Sequence, residues 1–271
     1  MGRPLWFVEI VKKGFPGIFI IARLTKVPII GRILDRWLFK GDHMIYLPRD
    51  RVVQVDREIG ESEQMILPSR VAEYFIDKAN YHWIMDVCIC RDAAGCKDYP
   101  VDRGCLFLGE AALGINPKLG RRVTKEEARQ HLSSCREAGL VHIVGRNKLD
   151  TVWLGVGPGN KLLTICNCCP CCCIWRVLPY IAPGIGEKIR KIPGVTVSVT
   201  DRCTGCGTCT EDVCFVDAIR LAGDRAVIGD ECRGCGLCVS VCPERAIEIS
   251  IDDSQFIESS INRLSPLVDV S

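Results

Sequence analysis

The clearest apolar periodicity lies near the start of the chain. Ile29, Ile30, Ile33, Leu34, Trp37 and Leu38 fall at i, i+1, i+4, i+5, i+8 and i+9, with Arg32, Asp35, Arg36 and Lys40 between them. That spacing predicts a helix with one apolar face and the charges turned away. Pro16 and Pro28 punctuate the segment that runs to about Arg57, so it reads as two or three short helices. Its longest uncharged stretch, Gly14 to Ala22, is far too short to span a bilayer. Further on, Thr124-Lys-Glu-Glu127 is a capping-box signature. It opens a helix carried by Glu126–Glu137 and stopped at Ala138-Gly139. Leu140–Val144 and Lys161–Ile165 then read as strands, separated by the turn-rich Gly155-Val-Gly-Pro-Gly159.

Composition changes this picture through one residue type. Nineteen of 271 residues are cysteine. In a short secreted protein such a count would suggest disulfides. Here the count is odd, and the cysteines sit in runs such as Cys166-Asn-Cys-Cys-Pro-Cys-Cys-Cys173, whose neighbours cannot easily bridge one another. The opening MGRPLWFVEIVKKGF has no charged region, apolar stretch and small-residue cleavage site in sequence. Thiolates at fixed spacings in a reducing compartment read as metal ligands. A cytoplasmic protein, peripheral at a membrane if membrane-bound at all, is expected.

Charge divides the chain. Residues 1–57 hold eleven Lys and Arg against five acids, and residues 201–271 hold six against thirteen. A basic head and an acidic tail favour different partners. The apolar face of the head has three readings: cover for the protein's own core, contact with a partner subunit, or a seat on a membrane surface.

The strongest chemical signal is an internal repeat. Cys203, Cys206 and Cys209 recur as Cys232, Cys235 and Cys238, each 29 residues later, and Cys214 recurs as Cys242, 28 later. Asp217-Ala-Ile219 answers Arg245-Ala-Ile247. Three cysteines two residues apart lie on a tight turn that wraps one face of an iron–sulfide cube. Glycines at 205, 207, 234 and 236 let the backbone approach and aim N–H groups at sulfur. A third cysteine in phase and a symmetric second copy favour clusters over zinc, which usually pairs two C-x2-C knuckles.

The second copy, C-x2-C-x2-C-x3-C ending at Pro243, resembles the bacterial two-[4Fe-4S] ferredoxin family over residues 199–251. The resemblance implies crossed ligation. One cluster would sit on Cys203, Cys206, Cys209 and Cys242, the other on Cys232, Cys235, Cys238 and Cys214. The first copy departs from the pattern. Four residues separate Cys209 from Cys214, and Phe215 replaces the proline. The extra residue is expected to be absorbed as a bulge that alters the surrounding pocket.

Ahead of the repeat come Cys88-Ile-Cys90-Arg91, Cys96 and Cys105, then Cys166, Cys168, Cys169, Cys171, Cys172 and Cys173. These motifs resemble anaerobe iron–sulfur proteins that carry C-x-C-R and C-N-C-C-x-C-C-C, often followed by a two-cluster ferredoxin domain. The resemblance covers about Tyr81 to Ile251 and brings no enzymatic activity with it. Ten cysteines exceed the eight that two cubanes need. Adjacent side chains cannot all reach one site, so Cys168 and Cys169 should face different centres or leave one thiol free. One or two additional clusters are expected. A zinc site, redox-active thiols and inert burial are the alternatives. Arg91 would either stabilise a reduced cluster or pair with a nearby Asp. His82 and His142, flanked by apolar residues, read as core or hydrogen-bonded histidines rather than ligands. Cys135 reads as a buried helix residue.

The expected fold class is therefore α+β. It comprises short amphipathic helices over 1–57, a mixed α/β cysteine-rich module over 58–198, a ferredoxin-like dicluster domain over 199–251 and a tail over 252–271. The expected function is electron transfer in anaerobic metabolism. The alternatives are an oxidoreductase with its centre in the Cys88–Cys173 module, fed by the ferredoxin domain, and a redox-sensing regulator. Redox proteins are the expected partners, with residues 1–57 as a peripheral membrane or partner-subunit contact. Gly155-Val-Gly-Pro-Gly159 lacks a phosphate-binding context, and its proline removes an N–H such a loop would use. A helix followed by two strands resembles a winged helix, but the mixed charge of Glu126–Glu137 argues against nucleic acid.

Overall fold

The computed structural model describes residues 2–50, 53–55, 67–253 and 255–271. The boundary expected between Arg57 and Glu58 lies outside them. The chain opens with three short helices, α1 (Leu5–Gly14), α2 (Ile18–Leu24) and α3 (Pro28–Leu34), the last running on as a π-helical turn over Asp35–Phe39. Pro16 sits in the 3-10 turn between α1 and α2, and Pro28 is the first residue of α3, where its missing N–H costs nothing. The side these helices bury carries Val8, Ala22, Gly31 and Phe39. Gly31 is required there, because an added Cβ would run into the Thr25 carbonyl. The side bearing Ile29, Ile30, Ile33 and Trp37 faces water. Of the same face, Leu34 is half-buried and Leu38 packs on the second core, so it covers the protein's own core along one edge only. Ala22 and Gly31 let the helices lie close on their inner side, where Ile18, Phe19 and Phe39 also pack, and Ile29, Ile33 and Trp37 are left outside.

Strand β1 (His43–Tyr46) follows, a strand that no alternation in the sequence announced. Next come β2 (Val53–Val55), α4 (Ser69–Lys78), β3 (His82–Met85), α5 (Ile89–Ala94), β4 (Leu106–Leu108) and β5 (Gly120–Val123). Helix α6 (Lys125–Glu137) carries the expected capping box, with the Glu127 amide donating to Thr124 Oγ1 and the Thr124 amide to Glu127. Beyond Gly139 lie β6 (Val141–Arg146), α7 (Lys148–Leu154), β7 (Leu163–Cys168), α8 (Pro183–Gly186), β8 (Ile189–Lys191) and β9 (Val195–Val199). The hairpin β10 (Ile219–Ala222) and β11 (Arg225–Ile228), α9 (Leu237–Val241), β12 (Ile247–Ile251) and α10 (Phe256–Leu264) complete the chain.

Seven strands form one mixed sheet in the order β5-β3-β4-β7-β6-β1-β8, antiparallel throughout except for the β1–β8 edge. The fold is mixed α and β, consistent with α+β. Strands β6 and β7 lie inside this sheet with α7 between them in sequence, so they form no wing. Side chains alternate across the sheet. Ile45, Leu47, Leu163 and Ile165 face a core shared with α4, α6 and α10. Met44, Tyr46, Cys166 and Cys168 face the opposite side, among Trp175, Phe215 and Leu237. A smaller sheet, β2-β12-β9, adds Val195, Ile249 and Ile251 to the first core, which seats the cysteine repeat against the main body. The C-terminal stretch also packs there: Phe256, Leu264, Val268 and Val270 are buried, and Lys161 Nζ meets Asp269 at 2.5 Å.

Candidate metal centres

In the repeat, local turns set the cysteines. Gly205, Gly207, Gly234 and Gly236 all have positive φ, between 65° and 81°, which glycine adopts without strain. Asp217 and Arg245, at matched places in the two copies, also adopt left-handed backbone, φ 52° and 48°. Each turns the next amide onto a sulfur. Ala218 N–H donates to Cys214 Sγ at 3.3 Å, and Ala246 N–H to Cys242 Sγ at 3.3 Å. Ala226 N–H reaches Cys203 Sγ, and Gly234 N–H reaches Cys232 Sγ, both at 3.4 Å. One cavity is lined by Cys203, Cys206, Cys209 and Cys242, and a second by Cys214, Cys232, Cys235 and Cys238. The first reaches the surface at Cys206, which is exposed. In the first copy the extra residue turns Asp212 to φ 53° after a 3-10 turn over Thr208–Thr210, where the second copy has α9. Cys214 still faces its cavity.

Ten of the other eleven cysteines come from separated elements. Cys88 caps α5, and Cys90 lies within it. Cys96 follows the left-handed Gly95 that ends this helix, and Cys105 precedes β4. Cys166 and Cys168 end β7, and the turn beyond it carries Cys169, Cys171, Cys172 and Cys173. Space sorts them into two sets. Cys96, Cys169, Cys171 and Cys172 place their sulfurs within 4.8 Å of one another. The remaining six make two bonded groups, Cys88 with Cys90 and a chain from Cys105 through Cys166 to Cys168, whose sulfur lies 3.1 Å from Cys173. Cys173 acts electrostatically on Cys90 and Cys88 on Cys105, which joins the groups into a six-thiol set. Cys168 and Cys169 thus belong to different sets. In the six-thiol set, hydrogen bonds from Cys105 and Cys168 hold Cys166 well below the ordinary thiol range, and the bond from Cys90 lowers Cys88. Their donors, Cys90, Cys105 and Cys168, are pushed up by the same bonds and by burial. All 19 cysteines are free. Cys135 is buried on α6, 3.7 Å from His131 Nε2 and in neither set.

Residues 226–248 match the 4Fe-4S binding domain family, Fer4. The match contains Cys232, Cys235, Cys238 and Cys242. With the cysteine-rich region it supports an iron–sulfur protein with an electron-transfer role. No similar curated protein and no similar solved structure is found.

Three polar residues complete the surroundings. Arg91 is fully buried. It donates through Nη1 to the Asn167 carbonyl at 2.7 Å and through Nη2 to the Arg103 carbonyl, and its Nε has no protein partner. It forms no pair with Asp92, which instead meets Lys12 at 2.7 Å. Burial works against its charge, but thiols of both sets, Cys88, Cys169, Cys168 and Cys105, outweigh burial and hold it protonated. A buried cation with no carboxylate partner among the described residues, and with an idle donor, calls for an anion nearby. An iron–sulfur cluster on thiolates is such an anion, so the site suits one.

Asn167 sits between Cys166 and Cys168 of β7. It donates to the Gly104 carbonyl at 2.7 Å and accepts from His142 Nδ1 at 2.8 Å. Burial pushes His142 down to about 4, so its ring is neutral. His82 Nε2 lies 2.7 Å from the Ile76 carbonyl. Both histidines are hydrogen-bonded core residues.

Tyr46 escaped the sequence reading. It is fully buried, stacks edge-on against Phe215 at 5.5 Å, and its hydroxyl has no protein partner. Burial first, then Cys173 and Cys168 of the six-thiol set and Cys235 of the repeat push its hydroxyl up, and Arg233 of the repeat works the other way. Tyr46 therefore lies between the two cysteine regions. Nothing in the sequence marks it, because its role comes from strand pairing.

Proposed function

We propose that this chain is an electron-transfer protein in which two [4Fe-4S] clusters with crossed ligation communicate with further iron–sulfur centres in the Cys88–Cys173 module. The observation that carries the reading is the pair of cavities, each faced by three cysteines of one copy and the last cysteine of the other. Cys203, Cys206, Cys209 and Cys242 would hold the outer cluster, and Cys214, Cys232, Cys235 and Cys238 the inner one. In the module, Cys96, Cys169, Cys171 and Cys172 would hold a third centre. The set Cys88, Cys90, Cys105, Cys166, Cys168 and Cys173 would hold a fourth. Bound clusters supply one-electron chemistry with no obligatory proton or ligand exchange. The chain's own residues fix distance, exclude water and tune potential through N–H···S bonds.

Electrons would enter at the exposed Cys206, pass the inner cavity and reach the six-thiol set by way of Tyr46, on which Cys173, Cys168 and Cys235 all act. Arg91, on which Cys88, Cys169, Cys168 and Cys105 act, would lie between that set and the four-thiol set. Redox proteins are the natural partners at the Cys206 end. Anaerobic purification with iron and acid-labile sulfide analysis tests the reading. Sulfide in proportion to iron, with EPR signals from more than one centre, is expected. Stoichiometric zinc without sulfide would sink it.

One observation favours a second reading, an oxidoreductase centred in the module. The six-thiol set holds more sulfur ligands than a cubane uses. Cyanide or CO added to the reduced protein separates the two. Unchanged module spectra mark a carrier, and a shift lost when the Cys166–Cys173 thiols are replaced marks an enzyme.

A further inference from the structure

Helices α1 to α3 hold large apolar side chains in water. Trp6 is 64% exposed, Ile20 65%, Ile29 73%, Ile33 52% and Trp37 70%. Scattered apolar residues are normal on a surface, but so many large ones in one short segment are not. The helices turn Val8, Ala22, Gly31 and Phe39 inward, and Trp6, Ile20, Ile29, Ile33 and Trp37 are left on the outer side.

The charge of the same segment is one-sided. Residues 1–40 hold eight Lys and Arg and only two acids. Both acids are occupied, Glu9 by Lys12 at 2.6 Å and Asp35 by Lys188. Lys13, Arg32, Arg36 and Lys40 are exposed and enter no ion pair among the described residues. No helix among the described residues is long and apolar enough to cross a membrane. Exposed tryptophan and isoleucine in short helices that also carry exposed, unpaired cations are the composition of an interfacial segment. Its apolar side chains suit the acyl boundary and its cations suit headgroup phosphate.

We propose that α1–α3 seat this chain on the surface of an anionic lipid bilayer. Trp6 and Trp37 lie at headgroup level, the isoleucines reach the acyl boundary, and Lys13, Arg32, Arg36 and Lys40 face lipid phosphate. The seat is independent of what the cysteines hold. It would bring the module's centres to a membrane without spanning it.

The test uses the full chain, sedimented with phosphatidylglycerol vesicles and, separately, with phosphatidylcholine vesicles. Binding to the anionic vesicles is expected to be at least about tenfold the tighter of the two and to weaken as salt rises. The double variant Ile29→Ser, Trp37→Ser should keep the wild-type circular dichroism and bind anionic vesicles at least about tenfold more weakly. Should that variant misfold, brominated lipid decides the matter in the unaltered chain. Trp83 and Trp175 are buried, and half-buried Trp153 packs on the core with its indole N–H on Asp150. Strong quenching that falls in Trp37→Phe therefore reports the α1–α3 face. The proposal is overturned if the chain stays in the supernatant with anionic vesicles, binds neutral vesicles equally, or shows no quenching. Self-association through this face in place of vesicle binding would overturn it too, and would indicate a protein partner.

Discussion

In the repeat, three of the four cysteines facing each cavity lie within seven residues of one another, and left-handed Asp217 and Arg245 aim amides at the fourth, Cys214 or Cys242. In the sheet module the cysteines come from α5, the approach to β4, the end of β7 and the turn beyond it. The surroundings differ as well. The repeat presents backbone N–H groups and opens to solvent at Cys206, whereas the module encloses a fully buried guanidinium and a fully buried phenol. The contrast teaches that sulfur ligands can be preorganised in two ways. One depends on local backbone conformation, and the other on a sheet that must already exist.

The largest effect that would separate the two regions is expected from Arg91→Gln. Removing a buried cation flanked by thiols of both sets leaves their negative charge uncompensated, at about 3–5 kcal/mol. Iron in the module should be lost or strongly depleted while EPR signals of the repeat persist. Equal loss from both regions would show that they form one cooperative unit. Next is Cys242→Ser. It should abolish the cluster at Cys203, Cys206 and Cys209 and spare the one at its own triplet, which Mössbauer spectra can resolve. Loss of the other cluster would remove the crossed assignment.

A pair of glycine variants sharpens the comparison further. At Gly205 an added Cβ would meet the Asp224 carbonyl, and φ is +69°. At Gly95 φ is +60° but the space around it is open. Gly95→Ala should cost about 1–2 kcal/mol, the left-handed penalty alone. Gly205→Ala should cost more in chemical denaturation and lower sulfide content in the repeat. The smallest effect is expected from Tyr46→Phe. The fold is unchanged, but a hydroxyl donor aimed between the two regions is gone. One hydrogen bond of about 1 kcal/mol corresponds to a potential shift on the order of 50 mV for a one-electron couple. Potentiometric titration that finds no shift would mean that Tyr46 only fills space.

What the sequence made legible follows the same division. The repeat could be read from spacing because its cavities are built by nearby residues, down to the matched turns at Asp217 and Arg245. The capped helix at Thr124, the buried Cys135 and the bonded His82 and His142 were readable because local patterning decides them. The partition of the ten module cysteines was readable only as a requirement that Cys168 and Cys169 diverge. Which four gather at Cys96 depends on how β7 pairs with β4 and β6, and no local rule gives that. Tyr46 and Asn167 were invisible for the same reason. Helix α7 hid between two strands whose intervening turn residues dominated the pattern. The outward direction of Ile29 and Trp37 was also unreadable, because periodicity gives a helix its faces without saying which one meets the protein.

The scattered origin of the module's cysteines also bears on the order in which the protein matures. A site whose ligands come from Cys88 at one extreme and Cys173 at the other exists only after β4, β6 and β7 have paired. Contacts so distant in sequence form late in folding. The triplets at Cys203 and Cys232 are each local enough to capture metal on a chain that is still assembling. On the proposed ligand sets, loading of the module would follow the sheet, while the repeat would begin with its own turns. A cell short of iron would accumulate folded chains with an empty interior before it accumulated chains with an empty repeat.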